Sequence, residues 1–211
     1  MHAVARQDQT EEGCTSRGRP MDATRDAALR QAALELLAEI GYDRLTMDSV
    51  AARARASKAT LYRRWCGKAE LVVDALGGLK GAPCVPDTGS LQGDLEAVAA
   101  GSTGVDDRFH AQVMLGLITA LAHDGELREV FRARLIEPRM AGMRQVLERA
   151  AARGEVDGER DLDLVVSLLP ALVFHRLLTT GEVPDREFTA RVMHDVILPL
   201  ATAPATAPAH R

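Results

Sequence analysis

Apolar positions divide the chain into stretches with a helical period and stretches without one. Residues 1–22 show no such period. From Thr24 the pattern changes: Leu29, Ala33, Leu36, Leu37 and Ile40 fall on one helix face, Thr24 can cap its start, and Gly41 sits where a helix stops. A second, short helix is predicted from Thr46, with Met47, Val50, Ala51 and Ala54 on one side. Ser57 caps a third, in which Leu61 and Trp65 stand four apart while Lys58, Tyr62 and Arg63 project differently. A longer helix from Lys68 to about Leu79 carries Leu71, Val72, Ala75, Leu76 and Leu79 on its core stripe.

Glycines and prolines then interrupt the period, first at Gly77-Gly78 and then from Gly81 to Ser90, so residues 80–90 read as a loop between two lobes. Beyond it the spacing predicts helices at about 91–101, 107–123, 126–153, 161–180 and 185–201. Pro138 and Pro170 are expected to bend two of them, because proline removes a backbone donor and crowds the preceding turn. The fold class expected is all-α, with about nine helices. It divides into an arm (1–22), a first domain (23–80), a larger second domain (81–202) and a tail (203–211) that repeats Ala-Thr-Ala-Pro and has nothing with which to build a core.

Composition agrees with that class: 46% of residues are apolar, mostly Ala, Leu and Val, and only 3% are aromatic. The longest apolar run, Leu164 to Phe174, contains Pro170 and is shorter than the roughly 20 residues a membrane span needs, so it reads as a buried core helix. Cys14, Cys66 and Cys84 are odd in number and lack metal-ligand spacing, which suits a reduced cytoplasmic setting. The six histidines show no ligand or triad spacing, and no G-x-S-x-G, phosphate-binding glycine loop, H-E-x-x-H or C-x-x-C is present. Asp161 and Asp163 stand at a helix start, where carboxylates complement the helix dipole. These patterns argue against an enzyme and call for no metal and no cofactor.

Charge is informative by segment. The chain carries −4 overall, yet from Arg17 to Lys68 there are 11 Lys/Arg against 6 Asp/Glu, and elsewhere 15 against 24. The basic part holds the stretch SKATLYRRW, Ser57 to Trp65. It has two readings, a solvated basic helix or a nucleic-acid contact. Two short helices across a tight turn make a helix-turn-helix, in which the second helix enters the major groove. Lys58 and Thr60 can then reach base edges, while Tyr62, Arg64 and Lys68 hold phosphates.

Thr46, Met47, Val50, Ala51, Ala54, Ser57, Thr60, Leu61, Tyr62, Trp65, Lys68 and Leu71 fit the run T-h-x-x-h-A-x-x-A-x-h-S-x-x-T-h-Y-x-x-F-x-x-K-x-x-L, with h apolar and Trp65 in the aromatic place. In this run the chain resembles the TetR family of one-component transcriptional repressors, specifically over about 24–76. The resemblance implies that Lys58, Ala59, Thr60 and Tyr62 face bases or adjacent phosphates, and that Tyr62, Arg64, Lys68 and Thr46 grip phosphates. Ser57 belongs to the same set. Arg55 departs from the pattern, standing where a turn glycine is usual, and either alters the turn or adds a phosphate contact. Gly67 stands where Ser or Asn often caps the next helix. Arg17 and Arg19, in an arm before the first helix, read either as minor-groove or backbone contacts or as a merely soluble terminus.

For the second lobe the resemblance implies a homodimer that encloses a pocket for a small-molecule effector and is released from a palindromic double-stranded DNA operator when that effector binds. The apolar surfaces of the last two long helices, Leu164, Val165, Leu168, Leu169, Leu172 and Val173 with Val192, Val196, Ile197 and Leu200, suit either a four-helix interface or an intramolecular core. Phe109, Met114, Phe131, Met140, Met143, Phe174 and His175 are candidate pocket residues, with ordinary core packing as the other reading. A small-molecule sensor or interaction protein that has lost specific DNA binding is the alternative function. Against it stands the intact set Lys58, Thr60, Tyr62, Arg64 and Lys68, which a pure sensor has no need to keep.

Overall fold

The computed structural model describes residues 20–81, 83–101, 108–182 and 184–204, side chains excepted at 20–22, 80 and 108. The arm with Arg17 and Arg19 lies outside them. In order come α1 (Pro20–Arg44), α2 (Met47–Arg53), α3 (Lys58–Tyr62), α4 (Lys68–Lys80), α5 (Leu91–Gly101), α6 (Arg108–His123), α7 (Gly125–Phe131), α8 (Glu137–Ala152), α9 (Leu162–Thr180), α10 (Arg186–Val192) and α11 (Leu198–Thr202). Wide π turns at Arg132–Ile136 and Met193–Ile197 make single rods of α7 with α8 and of α10 with α11. Counted as rods, the described residues form nine helices and no strand.

The helix limits follow local chemistry. α1 begins at Pro20 rather than at Thr24, since proline arrives with its φ preset for a first turn and lacks only a donor that would go unused there. Gly41 interrupts it as expected, with φ 73° and ψ 169°. α4 runs on through Gly77-Gly78 to Gly81, whose φ is 67°. Pro138 follows a π turn directly, as does Pro199, because the wider turn makes room for a ring that a regular helix would crowd. α9 continues through Pro170, and Asp161 caps its start by accepting the Leu164 N–H at 3.1 Å.

Two apolar clusters organise these helices. The first gathers Leu29, Leu37, Leu45, Val50, Leu61, Trp65, Leu71 and Leu76 from α1–α4 and the turns between them, and it also takes Val113, Leu117, Leu127, Phe131 and Leu135 from α6, α7 and the π turn. The second joins α5, α8, α9 and the last rod through Leu91, Leu95, Val146, Leu147, Val165, Val192 and Ile197. On α5, beside the second cluster, Asp94 is fully buried and accepts both the backbone N–H of Thr88 (2.6 Å) and its hydroxyl (2.9 Å), facing Arg153 at 3.4 Å. Burial alone would raise the Asp94 pKa, but the Thr88 donors and Arg153 outweigh it and hold the carboxyl below its usual range. This fastens the loop before α5 to the end of α8.

α6 lies along α1 more extensively than any other pair of helices meets. Gly116 permits that approach: a Cβ there would stand 2.7 Å from the Leu37 carbonyl oxygen. Gly116→Ala should therefore separate the two helices and destabilise the protein by about 1–3 kcal/mol, partly offset by the better helix propensity of alanine. Urea unfolding reads this directly. A variant as stable as the parent would refute the close approach.

Candidate functional site

α2 and α3 are short, so their ends decide whether they form. Thr46 caps α2 by accepting the Ser49 N–H at 3.1 Å, and the Ser49 hydroxyl oxygen accepts the Thr46 N–H at 3.1 Å, which satisfies two terminal donors reciprocally. Ser57 caps α3 by accepting the Thr60 N–H at 3.2 Å, and its hydroxyl lies 2.9 Å from that of Thr60. Between the helices Arg55 has φ 51°, the single positive φ outside glycine among the described residues. The turn thus keeps the left-handed geometry that a glycine would enter freely, and Arg55 adopts it at a cost of about 1 kcal/mol.

The inward side of α3 is anchored. Leu61 is fully buried, and Trp65 is buried just beyond the helix with its indole N–H donating to Asp74 Oδ2 at 3.0 Å. Arg30 of α1 donates to the same oxygen at 2.7 Å, so a single carboxylate on α4 ties α1 and the end of α3 together.

The outward side presents Ser57, Lys58, Ala59, Tyr62 and Arg63, all exposed, with Thr60 half-buried and Thr46 and Arg55 exposed beside them. Three of the expected contacts, Lys58 among them, also have partners within the protein. Lys58 pairs with Asp48 of α2 at 2.5 Å, and that carboxylate holds the ammonium above the usual lysine range. Arg64 lies 3.3 Å from Asp26 of α1. Lys68 donates to the Tyr42 carbonyl at 3.3 Å and rests 4.2 Å from the centre of its ring, tying the start of α4 to the end of α1. Arg64 and Lys68, both expected to hold phosphates, are half-buried in the seams between helices.

A cavity of about 280 Å³ lies between the first cluster and α8–α9. Of the expected pocket residues, Met114, Phe131, Met140, Met143 and Phe174 line it, while Phe109 and His175 do not. Phe109 packs against the first cluster, edge-on to His110 at 5.6 Å, and His175 is exposed on the far side of α9. Sequence reasoning missed His110 and Arg139, which both line the cavity. The period held a signal for the histidine, because 110, 113, 114 and 117 share the inward face of α6.

α9 also corrects an expectation. Only Val165, Val166 and Leu177 are buried in it, whereas Leu164 and Leu178 are 59% and 60% exposed. It is the one described helix long and apolar enough, by length and composition, to cross a membrane. Leu164, Leu168, Ala171, His175 and Leu178 follow one another at spacings of four and three, and so share a face. That face is not core within one chain.

Two capped helices across a left-handed turn, with a buried aromatic anchor and a polar outer side, define a helix-turn-helix DNA-binding regulator with a helical second lobe. Residues 29–75 match the family described as bacterial regulatory proteins, tetR family, and residues 85–196 match the tetracyclin repressor-like C-terminal domain. The chain belongs to the TetR family of transcriptional regulators. It is 39% identical over 179 residues to the DNA-binding transcriptional repressor TetR of Mycobacteroides abscessus, covering 84% of this chain and 94% of that one. It is 35% identical over 169 residues to the uncharacterized HTH-type transcriptional regulator YdeS of Bacillus subtilis, covering 80% and 85%. Among solved structures, one TetR family transcription regulator superposes with TM-score 0.59 at 29% identity over 82% of this chain and 96% of its own. GusR of Salmonella enterica superposes with TM-score 0.65 at 16% identity over 89% and 99%, a likeness of fold.

Proposed function

We propose that this DNA-binding regulator is a cytoplasmic repressor rather than an enzyme, that it binds a palindromic operator as a homodimer, and that a small molecule entering the cavity releases it. The outward side of α3 carries the reading: Lys58, Ala59 and Thr60 begin a helix whose opposite side is locked by Leu61 and Trp65, which supports their meeting base edges. Tyr62, Arg63 and Arg55 stand at its flanks to hold phosphates, and Thr46 and Ser57 offer hydroxyls at two helix starts. Arg64 and Lys68 serve the backbone contacts from their seams, where Asp26 and Tyr42 fix their positions.

The dimer follows from two needs. One short helix reads few base pairs, so two heads about 34–36 Å apart are the usual route to specificity. The exposed α9 stripe, with Val196 and Leu200 of the last rod, supplies an apolar surface that a second copy can cover. Val165, Val192 and Ile197 are buried within the chain and support that surface from behind.

The test is duplex selected from random DNA, with affinity followed against salt. A steep linear loss of affinity on a logarithmic scale is expected as counterions are released. Lys58→Ala should change which sequences are selected, by roughly tenfold to a hundredfold at the affected position. Lys68→Ala should weaken all sequences alike and reduce the salt slope by about 1. No salt-sensitive complex up to micromolar protein would sink the DNA reading, and equal uniform losses in both variants would sink the division of labour.

A further inference from the structure

Arg139 is the only formally charged residue among those described as lining the cavity, and no Asp or Glu is among them. Among the described residues its guanidinium is held by neutral oxygens: Nη1 donates to the Leu135 carbonyl at 2.9 Å and Nη2 to the Gly81 carbonyl at 2.8 Å. No ion pair to Arg139 is formed among the described residues. Arg139 is half-buried, and that burial pushes its pKa below the usual guanidinium range, with no carboxylate among the described residues to offset the cost. Charges taken out of water are ordinarily paired, and a planar guanidinium with two of its five N–H groups engaged matches a carboxylate in a forked arrangement. Around it the wall is mostly Met114, Met140, Met143, Phe131, Phe174 and aliphatic side chains, with His110, Cys84 and Thr189 as the other polar groups.

Resting on the reading of this cavity as the effector site, we propose that it takes a compact apolar monoanion, a carboxylate on a short aliphatic or aromatic body, whose charge Arg139 receives. The volume is at the lower edge of the roughly 300–1,000 Å³ usual for small-molecule sites, which suits a small body, and one guanidinium balances one negative charge. The position of Arg139 also gives the ligand a lever. Gly81 ends α4, so a carboxylate that draws Nη2 away from the Gly81 carbonyl removes a hydrogen bond that holds the end of this helix to α8. α4 is also the helix whose Asp74 anchors Trp65.

Calorimetry on the full chain with octanoate and benzoate against octan-1-ol and benzyl alcohol tests the assignment. The two carboxylates should bind about tenfold to a hundredfold more tightly than the alcohols. In Arg139→Gln that preference should fall below about threefold while alcohol binding persists, and Arg139→Lys should keep part of it. Persistent alcohol binding shows that the variants fold. Alcohols bound as well as carboxylates by the parent, or an Arg139→Gln variant with its preference intact, would overturn the charge assignment alone. No binding by any of the four, in protein that still binds duplex, would overturn the cavity as effector site and the assignment with it.

Discussion

Trp65→Ala should cost about 3–5 kcal/mol, the range for a large aromatic truncated in a core. At roughly 2–4 °C per kcal/mol for a chain of this size, thermal unfolding should shift down by about 10 °C. Trp65 is buried against Leu61 and the first cluster, and its N–H shares Asp74 with Arg30, so the truncation opens a void beneath α3 and removes one of the donors on Asp74. DNA binding should fall with it, since α3 has five residues and owes its orientation to this anchor. Trp65→Phe separates the two effects: it keeps most of the packing and loses the hydrogen bond, at about 1 kcal/mol. Calorimetric melting of both variants decides the matter, and an alanine variant that melts within 1 °C of the parent would refute the anchor.

Leu164→Asp combined with Leu178→Asp should leave the fold of the single chain unchanged and convert a dimer into a monomer. Both side chains are more than half exposed, so neither substitution buries a charge within one chain, whereas an apolar contact between two copies would trap four carboxylates. Losing the second head should weaken operator binding at least about a hundredfold, the low end of what linkage of two sites adds. Sedimentation measures the first outcome and a duplex titration the second. A double variant that still sediments as a dimer places the interface elsewhere.

Much of this architecture is legible in periodicity. Leu29, Ala33 and Leu37 announce the buried side of α1, and Ser57, Leu61 and Trp65 announce both the cap and the inner side of α3. Arg55 could be singled out because a left-handed turn conflicts with a side chain, and its φ of 51° shows that the turn prevails. Partners distant in sequence are the part that periodicity leaves out. Nothing near Arg64 or Lys68 announces Asp26 or the Tyr42 carbonyl, 38 and 26 positions away, so both cations read as surface groups. In the same way Arg139 reads as a solvated helix residue until the Gly81 carbonyl, 58 positions earlier, accepts a hydrogen bond from it. The side on which His175 lies escapes the period for a different reason: from Leu164 to Phe174 every position of α9 but Ser167 is apolar, so the pattern does not distinguish the side facing the cavity from the side facing outward.

The first apolar cluster ignores the boundary that the loop at 80–90 suggests. Leu76, Val113, Phe131 and Leu135 belong to the packing beneath the DNA-reading helices and are at the same time walls of the cavity. Close-packed side chains give way in discrete steps rather than by smooth yielding. On the proposed reading of the cavity, an effector held by those four residues and the helices that carry α3 draw on one set of contacts, and linkage makes the effect mutual: if the effector shifts the heads away from the spacing that fits an operator, operator binding changes the hold on the effector by the same factor.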